Sequence, residues 1–277
     1  MNHSISRRSA LKFAAIAAGA AMAGCANRAA IAAADDDPFG GLVPGAQSYS
    51  FRRLSLDNAL AAMKELGIKQ VELFPNHIAG LSPTQVKEKL AANDVQGVSY
   101  GVVPFSKDDA ANRKMFELAK SLGMNNLSCD PTPDAFDSLD KLTEEYGITC
   151  AIHPHGPGHR WAKIDTIWDA VKDHSPKIGL CNDTGHFIRA GEDPVRAMEV
   201  FKDRLYALHL KDFKKVDEKK WEDVPAGDGS LDVDAVVKFL LDHKFKGAML
   251  IEYEGQNEVE SVRKSLGRVK EAVKKAK

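Results

Sequence analysis

The chain has 277 residues, 44% apolar and 28% charged, with 38 basic and 39 acidic side chains and a formal net charge of −1. That composition belongs to a globular protein with a sizeable core, long enough for one α/β barrel or two smaller domains. It argues against a basic nucleic-acid binder, whose phosphate contacts need a surplus of Lys and Arg.

The first 34 residues differ from the rest. They hold Arg7, Arg8, Lys12 and Arg28 and no acid, and Ser6-Arg7-Arg8-Ser9-Ala10-Leu11-Lys12 precedes an Ala/Gly-rich apolar stretch from Phe13 to Gly24. A basic start, an apolar middle and a small-residue end make a twin-arginine export signal the expectation for 1–34. The stretch is short for a membrane span. Two processing points compete. Met22-Ala23-Gly24-Cys25 resembles a lipobox, which would give Cys25 a lipid anchor, and Ala32-Ala33-Ala34 before Asp35 resembles an ordinary cleavage site. The expected location is the periplasm, either free or as a membrane-anchored lipoprotein. Removing 1–34 leaves 34 basic against 39 acidic side chains, a net charge of −5. Cys129, Cys150 and Cys181 remain, each in or at the end of a strand pattern, and are expected as free buried thiols.

After an acidic linker at 35–44, strand and helix patterns alternate. Strands are predicted at 45–49, 70–74, 97–103, 125–129, 148–153, 178–183, 204–210 and 247–252. Helical spacing of apolar residues predicts helices at 56–66, 83–92, 110–122, 136–146, 164–172, 194–201, 233–241 and 259–275. Eight strands alternating with eight helices predict an α/β fold, a single (β/α)8 TIM barrel over 45–277. An open doubly wound sheet fits less well, because no Gly-rich phosphate turn follows the first strand. The charged stretch 211–223 reads as a long loop over the substrate end.

Four successive strand patterns end on metal-ligand residues: His153, Asp183, His209 and Glu252. Residues at the same end of parallel strands converge. Two imidazoles and two carboxylates suit one divalent ion, Mn, Co, Zn, Fe or Mg, better than calcium. The competing reading is that each residue only caps the next helix, which for Asp183 alone weighs equally.

These residues also carry a family resemblance. Asn182-Asp183-Thr184-Gly185-His186, His209-Leu210-Lys211-Asp212, Gly227-Asp228-Gly229-Ser230-Leu231-Asp232 and Ile251-Glu252-Tyr253-Glu254, in that order, resemble the xylose isomerase-like TIM-barrel superfamily. That group contains sugar isomerases and epimerases, inosose dehydratases and endonuclease IV relatives. The resemblance implies a divalent metal held by the ends of strands five to eight, with Asp183, His209 and Glu252 in the last three places. The first place, usually Glu in the epimerases, is His153 here, within Ile152-His153-Pro154-His155-Gly156. That departure points toward the inosose dehydratase and keto-sugar lyase branch. No His accompanies Gly227-Asp228-Gly229, so a trinuclear nuclease site is incomplete.

Other residues are expected on the same face. Glu72, Lys211 and His186 join Glu252 as candidates for catalysis. Glu72 serves as an acid/base or as an ion-pair partner, and Lys211, two residues past His209, as an electrostatic stabiliser. His77, His155 and Trp161 are candidates for substrate binding, with His159 in the same Gly/Pro loop. The expected activity is metal-dependent removal of a proton beside the carbonyl of a non-phosphorylated sugar or keto-sugar, giving isomerisation or epimerisation. The alternatives are a cyclitol dehydratase or 3-keto-glycoside lyase on the same site, and a non-catalytic carbohydrate-binding barrel. The expected partner is a small sugar, not nucleic acid, and an oligomer is compatible with this reading.

Overall fold

The computed structural model describes residues 37–277, and the expected export signal with Cys25 lies outside them. Within the linker, the Asp37 carboxylate accepts the N–H groups of Phe39 (2.9 Å) and Gly41 (2.6 Å) to form a turn. The unit from Leu42 onward is the barrel.

Eight strands build it: β1 Pro44–Gln47, β2 Gln70–Leu73, β3 Gln96–Phe105, β4 Asn126–Pro131, β5 Thr149–Ile152, β6 Ile178–Asp183, β7 Leu205–Leu210 and, last in the chain, β10 Ala248–Ile251. All neighbours pair in parallel and the sheet closes in the order β1-β10-β7-β6-β5-β4-β3-β2. The predicted strands therefore stand, with β3 and β4 running two residues further than the apolar runs indicate. Parallel strands need crossovers, and the eight predicted helices supply them. They are α1 Leu56–Leu66, α2 Pro83–Ala92, α3 Asp109–Leu122, α4 Phe136–Tyr146, α5 Ile164–Val171, α7 Pro194–Val200, α8 Val233–Asp242 and α9 Glu258–Ala276.

Local chemistry sets their ends. The Ser55 side chain accepts from the Asn58 N–H to start α1, and Gly67 at φ 74° stops it. A capping box between Ser82 and Gln85, with Pro83 in the first turn, starts α2.

Two elements depart from expectation. The short helix α6 Thr184–Arg189 follows β6 directly, capped by Asp183. The charged stretch after β7 is a hairpin, β8 Asp212–Lys215 and β9 Trp221–Val224, paired antiparallel. Lys214 faces Glu222 across it, an opposite-charge pair of the kind that stabilises ladders. Asp217 closes the turn by accepting the N–H groups of Lys219 and Lys220.

The root of the hairpin is fixed by Asp212. Its buried carboxylate accepts four backbone N–H groups, from Gly227, Gly229, Ser230 and Leu231, each at 2.9 Å. A Cβ at Gly229 would lie 2.5 Å from Asp212 Oδ1, so only glycine lets the chain pass this close. The Gly-Asp-Gly motif is thus the loop that wraps this carboxylate.

Small residues, among them Ala151, Cys181, Ala207 and Ala248, cluster with Leu250 in the core. Cys129, Cys150 and Cys181 are buried free thiols.

Candidate metal centre and active site

The closed barrel brings four predicted strand ends to one point. His153 follows β5, Asp183 ends β6, His209 is the fifth residue of β7 and Glu252 follows β10. One ligand atom from each lies within 4.8 Å of every other. His209 Nδ1 is 2.9 Å from Glu252 Oε2 and 3.1 Å from His153 Nε2. Asp183 Oδ2 is 3.4 Å from His153 Nε2 and 3.9 Å from His209 Nδ1. All four residues are buried.

The arrangement fits a cation. The Asp183 carboxylate divides its work: Oδ1 accepts the His186 N–H at 2.7 Å as the cap of α6, while buried Oδ2 has no hydrogen-bond partner. An unsatisfied buried oxygen costs about 1–3 kcal/mol. A metal ion at the centre would satisfy it. On the far side of its ring, His209 Nε2 lies 3.2 Å from Glu72 Oε1. A carboxylate behind an imidazole ligand fixes its tautomer and orientation.

Glu72 itself is fully buried. Gln47 donates to its Oε1 and Ser128 to its Oε2, both at 2.5 Å. Behind Ser128 the polar chain continues: Ser99 Oγ is 3.5 Å from Ser128 Oγ, Asn126 donates to Ser99 at 2.9 Å, and Thr149 donates to Asn126 at 2.7 Å.

The charges reinforce the cluster. Burial alone would raise the Glu252 pKa, but Lys211 and His209 hold it well below the usual carboxylate range. For His209, burial is overcome at neutral pH by the Glu72 and Glu252 carboxylates, which carry its pKa well above the ordinary value. Burial would lower the His153 pKa, but the nearby Asp183 and Glu252 carboxylates raise it. The same negative field attracts a divalent cation, which must displace these protons. Metal binding should therefore release up to about two protons and weaken by about 10- to 100-fold for each pH unit of acidification. Competition titrations between about pH 6 and 8 test this; a pH-independent affinity would refute it.

A cavity of about 340 Å³ opens onto this point, lined by Gln47, Tyr49, Phe74, His153, His155, His186, Glu252 and Glu254, among others. A larger one, about 570 Å³, lies at the opposite end of the barrel among the strand starts Gln70, Gln96, Asn126 and Thr149, away from the ligand cluster.

Of the remaining candidates, His155 and His186 line the cavity and Glu72, Lys211, His77 and Trp161 do not. Burial, with the neighbouring imidazoles of His153, His186 and His159, pushes the His155 pKa down to about 3. His77 sits behind Phe74, ring centroids 5.9 Å apart. Trp161 is only 3% exposed and its indole N–H donates to Pro131 O at 3.0 Å, so its place is in the packing between β4 and the β5–α5 loop and not over a sugar ring.

Lys211 is fully buried with its ammonium turned to carboxylates: Glu254, Asp223 at 3.6 Å and Glu252 at 3.9 Å. A Cβ at Gly185 would meet Lys211 Cγ at 2.9 Å, so the stem needs glycine beside it.

Sequence reasoning missed Glu254 and Cys181. Glu254 lies two residues past Glu252 and lines the cavity. Cys181, two residues before Asp183, comes within ligand distance of His153 and His209. Burial pushes its thiol up to about 11, which keeps it protonated at neutral pH. The same two-residue strand spacing that placed Lys211 would have found both.

Residues 60–272 match the family model described as "Xylose isomerase-like TIM barrel". The chain is 30% identical to the inosose dehydratase of Clostridium beijerinckii over 138 residues, 44% of this chain and 45% of that protein. It thus spans about half the length of the curated relatives it matches. Among solved structures, the probable 3-DHS dehydratase AsbF of Bacillus anthracis superposes with a TM-score of 0.68 at 14% identity, covering 82% of this chain and 98% of that one. IolI, solved with a bound zinc atom, superposes with a TM-score of 0.65 at 15% identity, covering 85% and 98%. At these identities the two structures share the fold.

Proposed function

Because the chain belongs to the xylose isomerase-like TIM-barrel family, we propose that it is a divalent-metal-dependent enzyme removing the proton beside a carbonyl of a non-phosphorylated keto-sugar or cyclitol. The ion held by His153, Asp183, His209 and Glu252 supplies Lewis-acid polarisation of that carbonyl. Glu252 doubles as ligand and proton acceptor, since it is the carboxylate of the ligand set that also faces the cavity. Glu254 sits beside it on the cavity wall, charge-paired with Lys211. His155 and His186 line the same wall and bind substrate hydroxyls. Lys211 acts through Glu252 and Glu254, and Glu72 through His209.

One observation carries the choice of outcome: His153 takes the place of a carboxylate. With its Nε2 turned to the other ligands, 3.1 Å from His209 and 3.4 Å from Asp183, it is committed to the ion. The ligand ring then offers a base on one side only. Epimerisation needs proton transfer on two faces of the substrate, whereas elimination of a β-leaving group does not. A single base thus disfavours epimerisation; dehydration or glycoside lysis is placed first, with isomerisation, which also needs one face only, second, and this reverses the order expected from sequence. The likeness to inosose dehydratases supports this order.

A cavity of about 340 Å³ is at the small end for ligand sites and suits one sugar ring. Among the described residues no Lys or Arg lines it, which supports an unphosphorylated substrate. The expected export signal at 1–34 supports action in the periplasm. Metal-loaded protein incubated with keto-sugars and inososes in D2O tests the reading: loss of water or aglycone is expected. Deuterium entry with the carbon skeleton and its substituents intact would assign an isomerase instead, and activity confined to sugar phosphates would sink the substrate class.

A further inference from the structure

A second set of donors meets on the rim, sharing no residue with the first. Asp130, near the end of β4, and His155 and His159, from the loop after β5, bring one carboxylate oxygen and two imidazole nitrogens within 4.8 Å of one another. We propose that this trio is a second divalent-cation site, a two-histidine, one-carboxylate set with open positions suited to Zn²⁺ or Co²⁺.

The spacing fits. Two donors each about 2.1 Å from one ion at a tetrahedral angle stand about 3.4 Å apart, and His159 Nε2 is 3.3 Å from Asp130 Oδ2. The two oxygens of Asp130 have separate neighbours: Arg160 Nε lies 3.7 Å from Oδ1, which leaves Oδ2 toward the imidazoles. A simple Asp130–His159 ion pair does not account for His155, whose buried Nδ1 has no hydrogen-bond partner.

The loop is shaped for it. Gly156 at φ 68° and Gly158 at φ 83° turn the chain back on itself, so that the His155 and His159 rings stand 4.7 Å apart. About a quarter of the His159 and Asp130 side chains is exposed, so solvent can complete the coordination. The donors are imidazole-rich and lack a thiolate, which selects a borderline cation over calcium or magnesium. Bound there, the ion would pin the loop and set the orientation of His155 on the cavity wall.

The test is stoichiometry. Full-length protein stripped with chelator is titrated with Co²⁺, followed by visible absorption and by metal analysis after gel filtration. Wild type should take two ions per chain, and His159→Ala and Asp130→Asn one each. Asp183→Asn should lose the other ion and keep this one, so a failure of the first site is distinguishable from a failure of the second. Melting curves confirm that each variant folds, and His159 is exposed enough to be replaced without a cavity. A single ion per chain in wild type that disappears in Asp183→Asn, or two ions in both rim variants, overturns the proposal.

Discussion

Glu252→Gln should lower turnover by about 10³-fold, the scale of a lost general base. The carboxyl is buried at 7% exposure, with Oε2 2.9 Å from His209 Nδ1 and Oε1 3.9 Å from Lys211 Nζ. The amide keeps the shape and removes the charge, so two losses combine: a weaker ligand and no proton acceptor. Saturating metal separates them. If Glu252 served only as a ligand, excess Co²⁺ would restore turnover together with metal content. Metal content restored with turnover still depressed is the expected result, and recovery to within tenfold of wild type would remove Glu252 from proton transfer.

Lys211→Met should destabilise the metal-free protein by about 3–5 kcal/mol at neutral pH, the penalty of leaving buried charges unpaired. For a domain of this size that lowers the melting temperature by on the order of 10 °C. Lys211 is 0% exposed, and its three carboxylate partners, Asp223, Glu252 and Glu254, have no other ammonium among the ion pairs of the described residues. The sign of the pH dependence follows from the carboxylates. Burial already pushes Asp223 up to about 7, so its contribution to stability is present below its unfolded value and is lost as pH rises through about 7. Removing the ammonium raises the Asp223 pKa further and lifts that of Glu252 from its depressed value. The deficit of the variant should therefore be largest above pH 7 and shrink on acidification. Denaturant titrations across that range measure it, and a deficit below about 1 kcal/mol at pH 8 would show that the ammonium is dispensable.

The barrel was legible because two periods alternate along the chain, and the meeting of four strand-end residues was legible because strand ends in a parallel barrel share one face. Asp183, His209 and Glu252 could be named from motif order, and His153 from its position. The partners of Lys211 were not legible. Its spacing from His209 gave the correct side of the sheet, but a charged loop has no periodicity to say that it pairs as β8–β9 and carries Asp223 back to the ammonium. Trp161 was misjudged for a related reason. An aromatic in a Gly/Pro loop reads the same whether it faces a sugar or tucks its N–H against Pro131, and only tertiary packing decides. Glu72 lies buried within β2. That both of its oxygens were already engaged depended on Gln47 and Ser128, which are distant in sequence.

The polar chain from Thr149 through Asn126, Ser99 and Ser128 to Glu72 runs inside an otherwise apolar barrel, and it ends against His209. Strand starts in such barrels are usually regarded as scaffold, with function confined to the loops at the other end. Here the first residues of β4 and β5 connect through hydrogen bonds to Glu72, which lies 3.2 Å from the candidate metal ligand His209. A directed-evolution library restricted to the loop face would leave out this chain, and Asn126 and Ser99 belong in the randomised set alongside the cavity wall.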